Sequence, residues 1–381
     1  MRNKLFFFTD IPAPYRVEMY NKMYEMGYDF EVWYMQKEVV TRPTWKFSNL
    51  DIKHNYLVNN GMYLRFFNIN IFFNPSLIFK IFKLGKIDII LALSWNDLDV
   101  LVLSFLKKIG LVKAKLHFWS EANYLTNGSR NDNFLKKFTR KFVYNHHDTI
   151  QISSGKMTNI TLEKWGVDIH KSVLLPNTIQ ENNYNLSIEQ KKNRALNHIP
   201  TILIAARLIE RIKGVVNFLS AFSNKDFESF NIVVAGSGED NEFTEKYIHE
   251  RGIQKHVRLC GDCNIDQMVN LFSNCNIFCL PSFTDASPLS IIEALKMELP
   301  ILASNRCGNH FEAIQSGLNG YTFDPDDKLE IREKLFLLLK QRDSWEEMGT
   351  NSLNIYNSFF SKDLVVKNFF TTFHSISPSL L

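Results

Sequence analysis

Short apolar runs alternate with amphipathic stretches of helical length along nearly the whole chain. Runs of this kind are typical of strands buried on both faces of a parallel sheet. In the first half, the predicted strands are Leu5–Phe8, Phe30–Trp33, Ile87–Leu93, Lys115–Trp119, Thr149–Ser153 and Val173–Leu175. The predicted helices between them are Arg16–Met26, Leu98–Leu106, Asn133–Val143 and Lys156–Trp165. This order predicts a doubly wound α/β domain.

The alternation is interrupted once and then begins again. Residues Pro176 to Pro200 are mainly Asn, Gln, Glu and Lys, which is typical of a connection between domains. The second series predicts strands at Thr201–Ala205, Asn231–Ala235, Val257–Leu259, Asn276–Leu280 and Pro300–Ala303. Helices are predicted at Val215–Phe222, Glu239–Glu250, Ile265–Phe272, Leu289 to about Met297, and Ser361–Phe373. We therefore predict an N-terminal domain at 1–176, a linker at 177–199 and a C-terminal domain at 200–360, with ligands bound in a cleft between the two sheets.

Composition narrows the class of protein. A chain of 381 residues suits two domains of roughly 150–200 residues each. With 45% hydrophobic and 22% charged residues the composition is that of a soluble globular protein, and a net charge of +4 is too small to indicate a nucleic-acid partner. The first apolar run ends before Asp10, which makes it too short for the apolar core of a signal peptide. No segment approaches the roughly 18 apolar residues of a membrane-spanning helix. We expect a cytoplasmic protein, or one peripheral on the inner face of the cytoplasmic membrane.

The five cysteines are an odd number in a long chain, which argues against a disulfide framework. Four of them form the pattern Cys260-x2-Cys263 and Cys275-x3-Cys279, and a zinc site is one interpretation of this spacing. Cys260 and Cys279 instead lie at the ends of apolar strand-like runs, where cysteine packs as a small hydrophobe. We therefore expect no metal site.

Two acids stand on either side of a predicted helix start in the stretch CLPSFTDASPLSIIEALKMELPILAS. Ser287 offers an N-cap oxygen and Pro288 suits the first helical position. Glu293 lies one turn inside this apolar helix, where a carboxylate must find a partner or shift its pKa, and Asp285 lies in the loop before it. Free backbone N–H groups at a helix start bind anions. A turn acid and a core carboxylate satisfied by its neighbours remain the alternative.

Asp285, seven intervening residues and Glu293 resemble the acidic motif of the family 4 retaining glycosyltransferases of the bacterial surface-polysaccharide type, in which the first acid is Glu. The resemblance implies the GT-B fold, in which two Rossmann-like domains face a cleft and a C-terminal helix, here 361–381, crosses back onto the first domain. It also implies that Asp285 faces the donor sugar and that Glu293 holds the ribose hydroxyls. The backbone of Ala286, Ser287, Pro288 and Leu289 would help to hold sugar and phosphate.

A pair of cations follows the first strand of the second series. Arg207 and Lys213-Gly214 in RLIERIKG resemble the family's R-x5-K-G element, whose cations grip the donor diphosphate. An Arg fork and a Lys point charge would stabilise a departing nucleoside diphosphate as it gains negative charge. A solvated basic turn is the alternative.

Three further elements follow in the family's order. Gly236-Ser-Gly238 opens a helix after a strand, where glycines let a ligand approach the backbone, although a tight turn would have the same sequence. Gly261 resembles a family glycine beside the nucleotide pocket. The segment from Gly308 resembles the family's G-G-x-x-E, with Asn309 in place of the second Gly. The order of these elements, rather than any one of them, indicates a sugar-nucleotide enzyme.

The N-terminal half carries weaker signals. Tyr15 and Arg16 could meet an acceptor or simply begin a helix. His117 and Glu121 follow a strand where the family places acceptor-side groups. His117 lies within the apolar run, which favours a core position over an acceptor contact. Glu121 is our candidate for orienting or deprotonating the acceptor hydroxyl, and a capping acid is the alternative.

Basic residues are interleaved with aromatic and aliphatic ones in three clusters of the first half. The basic residues are Arg65, Lys80, Lys83, Lys86, Lys107, Lys108, Lys113, Lys115, Lys136, Lys137, Arg140 and Lys141. Such a surface suits docking on anionic lipid, and an ordinary solvated face is the alternative.

The sequence therefore predicts a metal-independent retaining glycosyltransferase without a cofactor. It would take a UDP- or GDP-sugar as donor and a saccharide or polyprenyl-linked saccharide as acceptor. A GT-B phosphorylase or epimerase fits the chain length and the order of the elements less well. A non-catalytic sugar-nucleotide-binding or membrane-docking scaffold remains open because Asp285 replaces the family Glu.

Overall fold

In the computed structural model, which describes residues 5–37, 46–59, 61–66, 69–126, 133–195 and 198–377, the chain divides into two compact units. The first unit comprises Met1–Ala122, Asn131–Thr178 and Lys362–Leu381. The second comprises Asn123–Arg130 and Ile179–Ser361. No helix in the described ranges is long and apolar enough to cross a membrane.

The described part of the first unit is built on a parallel sheet in the order β3-β2-β1-β6-β7-β8-β9. Its strands are β1 (Leu5–Thr9), β2 (Phe30–Tyr34), β3 (Tyr56–Val58), β6 (Asp88–Ala92), β7 (Lys115–Ser120), β8 (Gln151–Ser153) and β9 (Ser172–Leu174). A separate antiparallel hairpin pairs β4 (Met62–Phe66) with β5 (Ile69–Phe73). Since β1 lies between β2 and β6, the strand order reverses at β1 and β6. Parallel α/β sheets bind ligands at the carboxyl edge of such a reversal.

The helices of the first unit cover both faces of this sheet, as the apolar strands require. They are α1 (Pro14–Glu25), α2 (Pro75–Leu84), α3 (Leu98–Lys108), α4 (Phe134–Tyr144), α5 (Lys156–Lys164) and the C-terminal helix α15 (Lys362–Ile376). Residues of α15, including Phe369 and Phe373, lie in the same buried cluster as Phe7, Val32 and Ile152. The predicted C-terminal helix is therefore an integral part of the first unit.

Replacing Phe369 by alanine should destabilise the first unit by about 3–5 kcal/mol, since this ring is fully buried against Phe7 and Phe373. Urea unfolding, followed by a signal from this unit, measures the change. Thr371→Ala, at an exposed position of the same helix, is the matched control and should change stability by less than about 0.5 kcal/mol. Equal effects of the two variants would contradict the packing of α15.

The second unit repeats the architecture with a parallel sheet in the order β12-β11-β10-β13-β14-β15. These strands are β10 (Thr201–Ala205), β11 (Asn231–Ala235), β12 (Val257–Leu259), β13 (Ile277–Leu280), β14 (Ile301–Ser304) and β15 (Gly320–Phe323). The helices are α6 (Ile188–Ala195), α7 (Glu210–Lys213), α8 (Val215–Leu219), α9 (Asn241–Glu250), α10 (Ile265–Asn274), α11 (Leu289–Lys296), α12 (His310–Ala313), α13 (Lys328–Lys340) and α14 (Trp345–Ile355). The prediction of a doubly wound α/β fold is confirmed for both units.

The polar stretch predicted as a linker packs on the second unit from Ile179 onward. Arg194, on α6, donates to the carbonyl oxygens of Phe272 (2.8 Å), Met297 (3.1 Å) and Glu298 (2.9 Å). These carbonyl groups lie near the C-terminal ends of α10 and α11. The last carbonyl groups of a helix have no hydrogen-bond partner within the helix. Arg194 thus provides hydrogen-bond donors to the C-terminal ends of two helices. Through these bonds the polar stretch helps to fix the position of α11.

Candidate functional site

The residues predicted for the second unit follow the carboxyl ends of its parallel strands. Arg207 follows β10, Gly236 follows β11, Gly261 follows β12, Asp285 follows β13 and Gly308 follows β14. Because parallel strands present their carboxyl ends at one edge of the sheet, these loops share that edge, which is where open α/β sheets bind ligands.

Lys213 and Asp285 form an ion pair at this edge. The Lys213 ammonium donates to Asp285 Oδ2, and both side chains are largely buried, with 14% and 16% of their surfaces exposed. Gly214, directly after Lys213, has a φ of 61°, and a Cβ there would lie 2.8 Å from the Pro281 carbonyl oxygen. The glycine therefore lets the Lys213 turn approach the β13 loop. The structure brings together the two charges that the sequence assigned to the diphosphate and the sugar.

The backbone on either side of Asp285 is also held in place. Its carbonyl oxygen accepts from Gly308 N (2.9 Å) and from Asn123 Nδ2 (3.1 Å). A Cβ on Gly308 would lie 1.7 Å from the Ala286 carbonyl oxygen, so only glycine fits. Asn309, which departs from the family pattern, donates to the Pro288 carbonyl oxygen (2.9 Å). This departure ties down the loop that precedes α11.

Arg207 is an exposed cation beside these loops. Its side chain has no hydrogen bond or ion pair with any other residue that the structure describes. Neighbouring Arg211 is also exposed but pairs with Glu239 (3.2 Å). Arg207 is therefore available to an anion, whereas Arg211 is already partnered.

Gly236 and Gly238 allow backbone contacts within the unit. A Cβ on Gly236 would lie 2.1 Å from the Ala206 carbonyl oxygen, and one on Gly238 would lie 2.1 Å from that of Leu208. The loop after β11 thus packs directly on the loop that carries Arg207. Gly261 has a φ of 66° with open space around it, and its carbonyl oxygen accepts from Gly236 N (2.8 Å). For Gly236 and Gly238 the tight packing is itself a sufficient reason for glycine.

Glu293 lies on α11 among four buried neighbours, Ile291, Ile292, Ala294 and Leu295. Its Oε1 accepts from the Tyr184 hydroxyl at 2.7 Å. Desolvation raises the pKa of the Glu293 carboxyl to about 7, although the Tyr184 hydrogen bond acts in the opposite direction. Both outcomes expected for a carboxylate on an apolar helix, a partner and a shifted pKa, therefore occur.

The predicted first residue of this helix, Leu289, is confirmed, whereas the predicted N-cap at Ser287 is wrong. Pro288, not Ser287, is the N-cap, and Leu289 is the first helical residue. Pro288 has an extended ψ of 122°, and no side chain caps the helix through a hydrogen bond. Ser287 is buried. The N–H groups of the first turn of α11 therefore gain no hydrogen bond from a capping side chain.

Arg16 and Glu121 meet in the first unit, at the carboxyl ends of β1 and β7. The guanidinium donates to Glu121 Oε1 (2.8 Å) and lies over the Trp119 ring, 4.5 Å from its centre. Asn177 also donates to Glu121 Oε1 (3.2 Å). Tyr15 lies beside this group, with its ring centre 5.9 Å from the Arg16 guanidinium carbon. Glu121 is thus held by two donors rather than capping a helix.

The placement of His117 on the acceptor side needs correction. This residue is fully buried in β7, with Nε2 2.8 Å from Asp88 Oδ1. Its Nδ1 accepts from Ile150 N at 3.0 Å, so both ring nitrogens are occupied. Desolvation lowers the pKa of His117. His117 is therefore a core residue.

The cysteine pattern does not gather into a metal site. Cys275 and Cys279 are buried and Cys260 and Cys263 are partly buried. Within the described ranges, no group of three or more His, Cys, Asp or Glu residues could hold a metal ion.

Sequence reasoning missed Tyr184 and a group of acids in the first unit. Tyr184 is the one Phe, Trp or Tyr within 177–199, and an aromatic residue in a polar stretch is a signal for packing. Asp10, Asp97 and Asp99 follow β1 and β6 and line a cavity together with Arg16 and Glu121. The rule that ligands meet the carboxyl ends of strands would have found them.

Comparison with known proteins gives a family match for the second unit. Residues 187–354 match the family model described as "Glycosyl transferases group 1". An uncharacterized glycosyltransferase of Haemophilus influenzae is 25% identical over 50% of this chain and 51% of its own, so the alignment spans about half of each protein. The N,N'-diacetylbacillosaminyl-diphospho-undecaprenol alpha-1,3-N-acetylgalactosaminyltransferase of Campylobacter jejuni is 26% identical over 78% of this chain and 76% of its own.

The fold also matches a solved structure over nearly its full length. The Anabaena protein HepE, solved in complex with UDP, superposes with a TM-score of 0.73 at 13% identity, covering 98% of this chain and 100% of that chain. At this identity the likeness establishes the fold alone, which is GT-B. The similarity to glycosyltransferases rests instead on the family model over residues 187–354 and on the Campylobacter relative.

Proposed function

We propose that this protein is a retaining glycosyltransferase of family 4. It moves a hexose-type sugar from a UDP- or GDP-sugar to a hydroxyl of a saccharide or lipid-linked saccharide in cell-surface polysaccharide synthesis. The observation that carries the proposal is the largely buried Lys213–Asp285 pair, together with the unpaired Arg207 at the same edge of the sheet, within the region that matches the family model. The similar proteins that act on undecaprenol-linked substrates support the choice of acceptor.

Two cations would hold the donor diphosphate. As the bond between the sugar C1 and the phosphate oxygen breaks, negative charge grows on the departing diphosphate. Arg207 offers a fork of donors and Lys213 a point charge, and both stabilise that charge more strongly than they stabilise the intact donor. When the diphosphate binds, Lys213 would be shared between it and Asp285.

The remaining groups would position the sugar and the ribose. Asp285, freed in part from Lys213, faces the sugar hydroxyls, and Glu293 accepts hydrogen bonds from the ribose hydroxyls. The acceptor hydroxyl attacks C1 on the face from which the diphosphate leaves and passes its proton to the departing phosphate oxygen, so the anomeric configuration is retained. Since Glu121 already accepts from Arg16 and Asn177, its role would be to orient the acceptor rather than to remove a proton.

Release of nucleoside diphosphate tests this function. UDP-, GDP- and ADP-sugars are offered in turn, with and without membrane extract as a source of acceptor, and with EDTA present. The proposal predicts release from one UDP- or GDP-sugar that rises with extract and does not need a metal. A folded protein that binds nucleotide but turns over none of these donors would favour the scaffold alternative.

The first unit would also dock on an anionic membrane. Helices α2, α3 and α4 are neighbours in the fold and expose large apolar side chains, namely Phe79, Phe82, Phe105, Phe134, Leu135 and Phe138. Exposed lysines lie among them, namely Lys83, Lys86, Lys108, Lys113, Lys137 and Lys141. Apolar side chains with lysines around them suit insertion into an anionic lipid surface.

Of the basic residues assigned to this surface from the sequence, Lys107 and Arg140 have largely buried side chains, and Lys115 is only partly exposed. Lys107 pairs with Asp148 (2.7 Å), Lys115 lies 3.7 Å from Asp88, and the Arg140 guanidinium lies 3.8 Å from the centre of the Trp165 ring. Lys80 and Lys136 are partly buried, and the Arg65 side chain lies outside the described residues. The docking surface therefore rests on the exposed lysines alone.

Reversing the charges of Lys137 and Lys141 together should weaken binding to phosphatidylglycerol vesicles by tenfold or more, at about 1 kcal/mol for each lysine near the lipid surface. Cosedimentation with vesicles measures the change. The matched control is Phe243→Ser with Lys255→Glu, at exposed positions of the second unit, and it should bind as the wild type does. Binding of the wild type to neutral phosphatidylcholine vesicles with equal affinity would contradict the docking surface.

A further inference from the structure

The first unit contains a cavity of about 550 Å³ at the carboxyl ends of β1, β6 and β7, where the strand order reverses. This volume lies within the range of pockets that hold small molecules, roughly 300–1,000 Å³. The rings of Trp95, Trp119, Tyr144 and Trp165 form part of its wall. Indole faces pack well on the C–H face of a ring and present a polar N–H at their edge.

Three buried polar atoms of residues in the wall lack a hydrogen-bond partner, namely Arg16 Nε, Asp99 Oδ2 and Trp119 Nε1. Asp99 is fully buried, and its Oδ1 accepts from Asn74 N (2.9 Å) while its Oδ2 has no hydrogen bond. Trp119 is 3% exposed, and its Nε1 also has no hydrogen bond. Buried polar atoms are nearly always satisfied, so one acceptor, Asp99 Oδ2, and two donors, Arg16 Nε and Trp119 Nε1, are left here for a bound molecule.

The wall is strongly negative. Four carboxylates, those of Asp10, Asp97, Asp99 and Glu121, line it together with the guanidinium of Arg16, which is paired with Glu121. The buried Arg140 guanidinium lies over the Trp95 and Trp165 rings, at 4.9 and 3.8 Å from their centres, so the carboxylates of the wall still outnumber the nearby cations by four to two. Desolvation raises the pKa of Asp97 and that of Asp99 to about 6, so both are mainly ionised at neutral pH. A further anion would meet like charges in a poorly solvated site, where repulsion is strong.

Neutral hydroxyl groups suit this wall. A hydroxyl donates to a carboxylate in a charge-assisted hydrogen bond, which is stronger than a neutral one. Asp99 Oδ2 would accept such a bond, and Trp119 Nε1 would donate to a hydroxyl or acetamido oxygen. Guanidinium groups of Arg16 and Arg140 already lie over one face of Trp119 and of Trp165, so a sugar ring would pack its C–H face on an indole face that these cations leave open.

We propose that this cavity binds an electrically neutral sugar ring, the terminal residue of the acceptor, and rejects uronic acids and phosphorylated sugars. The identification of that ring as the acceptor rests on the proposed function. The selection against acidic sugars rests on the carboxylates of this unit alone. Asp97 and Asp99 would thus be specificity-determining residues.

Quenching of tryptophan fluorescence tests the proposal without a donor, since Trp95, Trp119 and Trp165 line the cavity. The full chain is titrated with neutral methyl glycosides (glucose, galactose and their N-acetylamino forms), with the matching methyl uronides and with glucosamine. We expect saturable quenching by at least one neutral glycoside and an affinity for the uronides that is lower by tenfold or more, the effect of one lost charge-assisted hydrogen bond together with charge repulsion.

Variants locate the binding. Asp99→Asn should weaken binding of the neutral glycoside about tenfold and reduce the discrimination against uronides. Trp119→Phe keeps an aromatic ring but removes the N–H, and it tests the site if Asp99→Asn does not fold. The matched control is Asp29→Asn, at an exposed carboxylate of the same unit outside the cavity wall, and it should bind as the wild type does.

Three results would overturn the proposal: uronides that bind as tightly as neutral glycosides, glucosamine that binds more tightly than every neutral sugar, or no quenching by any neutral glycoside. Donor turnover is a separate measurement in which these glycosides take no part. A chain that releases nucleoside diphosphate but binds uronides equally well would refute this inference and leave the proposed function standing.

Discussion

Replacing Lys213 by alanine is expected to lower kcat/KM for donor turnover by about 10²–10³, the usual effect of removing one group that stabilises developing charge. Lys213 is largely buried and already faces a carboxylate, so it acts at short range and with little screening. Its loss would also leave Asp285 unpaired beside the diphosphate, and the repulsion would add to the effect. Steady-state kinetics with the donor found in the panel measure the change.

Arg211→Ala is the control for this substitution. Arg211 lies in the same turn, but it is exposed and paired with Glu239, so its loss should change kcat/KM by less than about threefold. A Lys213→Ala enzyme with the activity of the Arg211→Ala enzyme would remove Lys213 from the donor site.

The second large effect concerns Glu293 and pH. The ribose hydroxyls need acceptors, and the ionised carboxylate offers them on both oxygens, whereas the protonated acid offers fewer. With a pKa of about 7 in the free protein, donor affinity should be about tenfold weaker at pH 6 than at pH 8. Calorimetric titration with an intact nucleotide sugar measures this, because its diphosphate does not titrate in that range.

Glu293→Gln should bind the donor about tenfold more weakly than the wild type at pH 8 and show no change between pH 6 and pH 8. Glu250→Gln, at an exposed position of the same unit, is the control and should keep the wild-type profile. A wild-type affinity that is flat between pH 6 and pH 8 would contradict the ribose contact.

The same shift affects stability. Burial raises the Glu293 pKa from 4.5 to about 7, so the folded protein binds this proton more tightly than the unfolded chain does. The contribution of Glu293 to the free energy of unfolding is therefore fully present below about pH 4.5 and is lost as the pH rises toward 7. In the free protein, Glu293→Gln should not show this loss. The ionised Glu293 carboxylate thus lowers the free energy of unfolding near neutral pH. A role in ligand binding would explain why a carboxylate occupies this position despite that cost.

Much of the fold could be predicted because its strands are short, apolar and evenly spaced. The strands Thr201–Ala205, Asn231–Ala235 and Val257–Leu259 lie at their predicted residues, since the apolar runs end at clear glycine and polar boundaries. The hairpin of β4 and β5 and the edge strand β3 were missed. The apolar runs of β4 and β5 are interrupted by Arg65 and Asn70, and β3, although apolar, is a three-residue strand at the edge of the sheet.

Only those features of the site that depend on the local spacing of residues along the chain could be predicted. The positions of Lys213 and Asp285 after their strands indicated a common sheet edge, but not that the two charges pair. Tyr184 and Glu293 lie 109 residues apart, and no local pattern links them. For His117 the surrounding apolar run favoured a core position over an acceptor contact, and Asp88 and Ile150 N occupy both of its nitrogens. Long-range partners decided each of these cases.

The most direct test of the account is a calorimetric comparison of nucleoside diphosphate with nucleoside monophosphate, at pH 8 and with EDTA present. If Arg207 and Lys213 grip the donor diphosphate, the diphosphate of the preferred base should bind at least tenfold more tightly than the monophosphate, the equivalent of one charge-assisted contact. Lys213→Ala should abolish that preference. Equal affinities for the two nucleotides in the wild type would contradict the assignment of these cations to the diphosphate, and with it the proposed donor site.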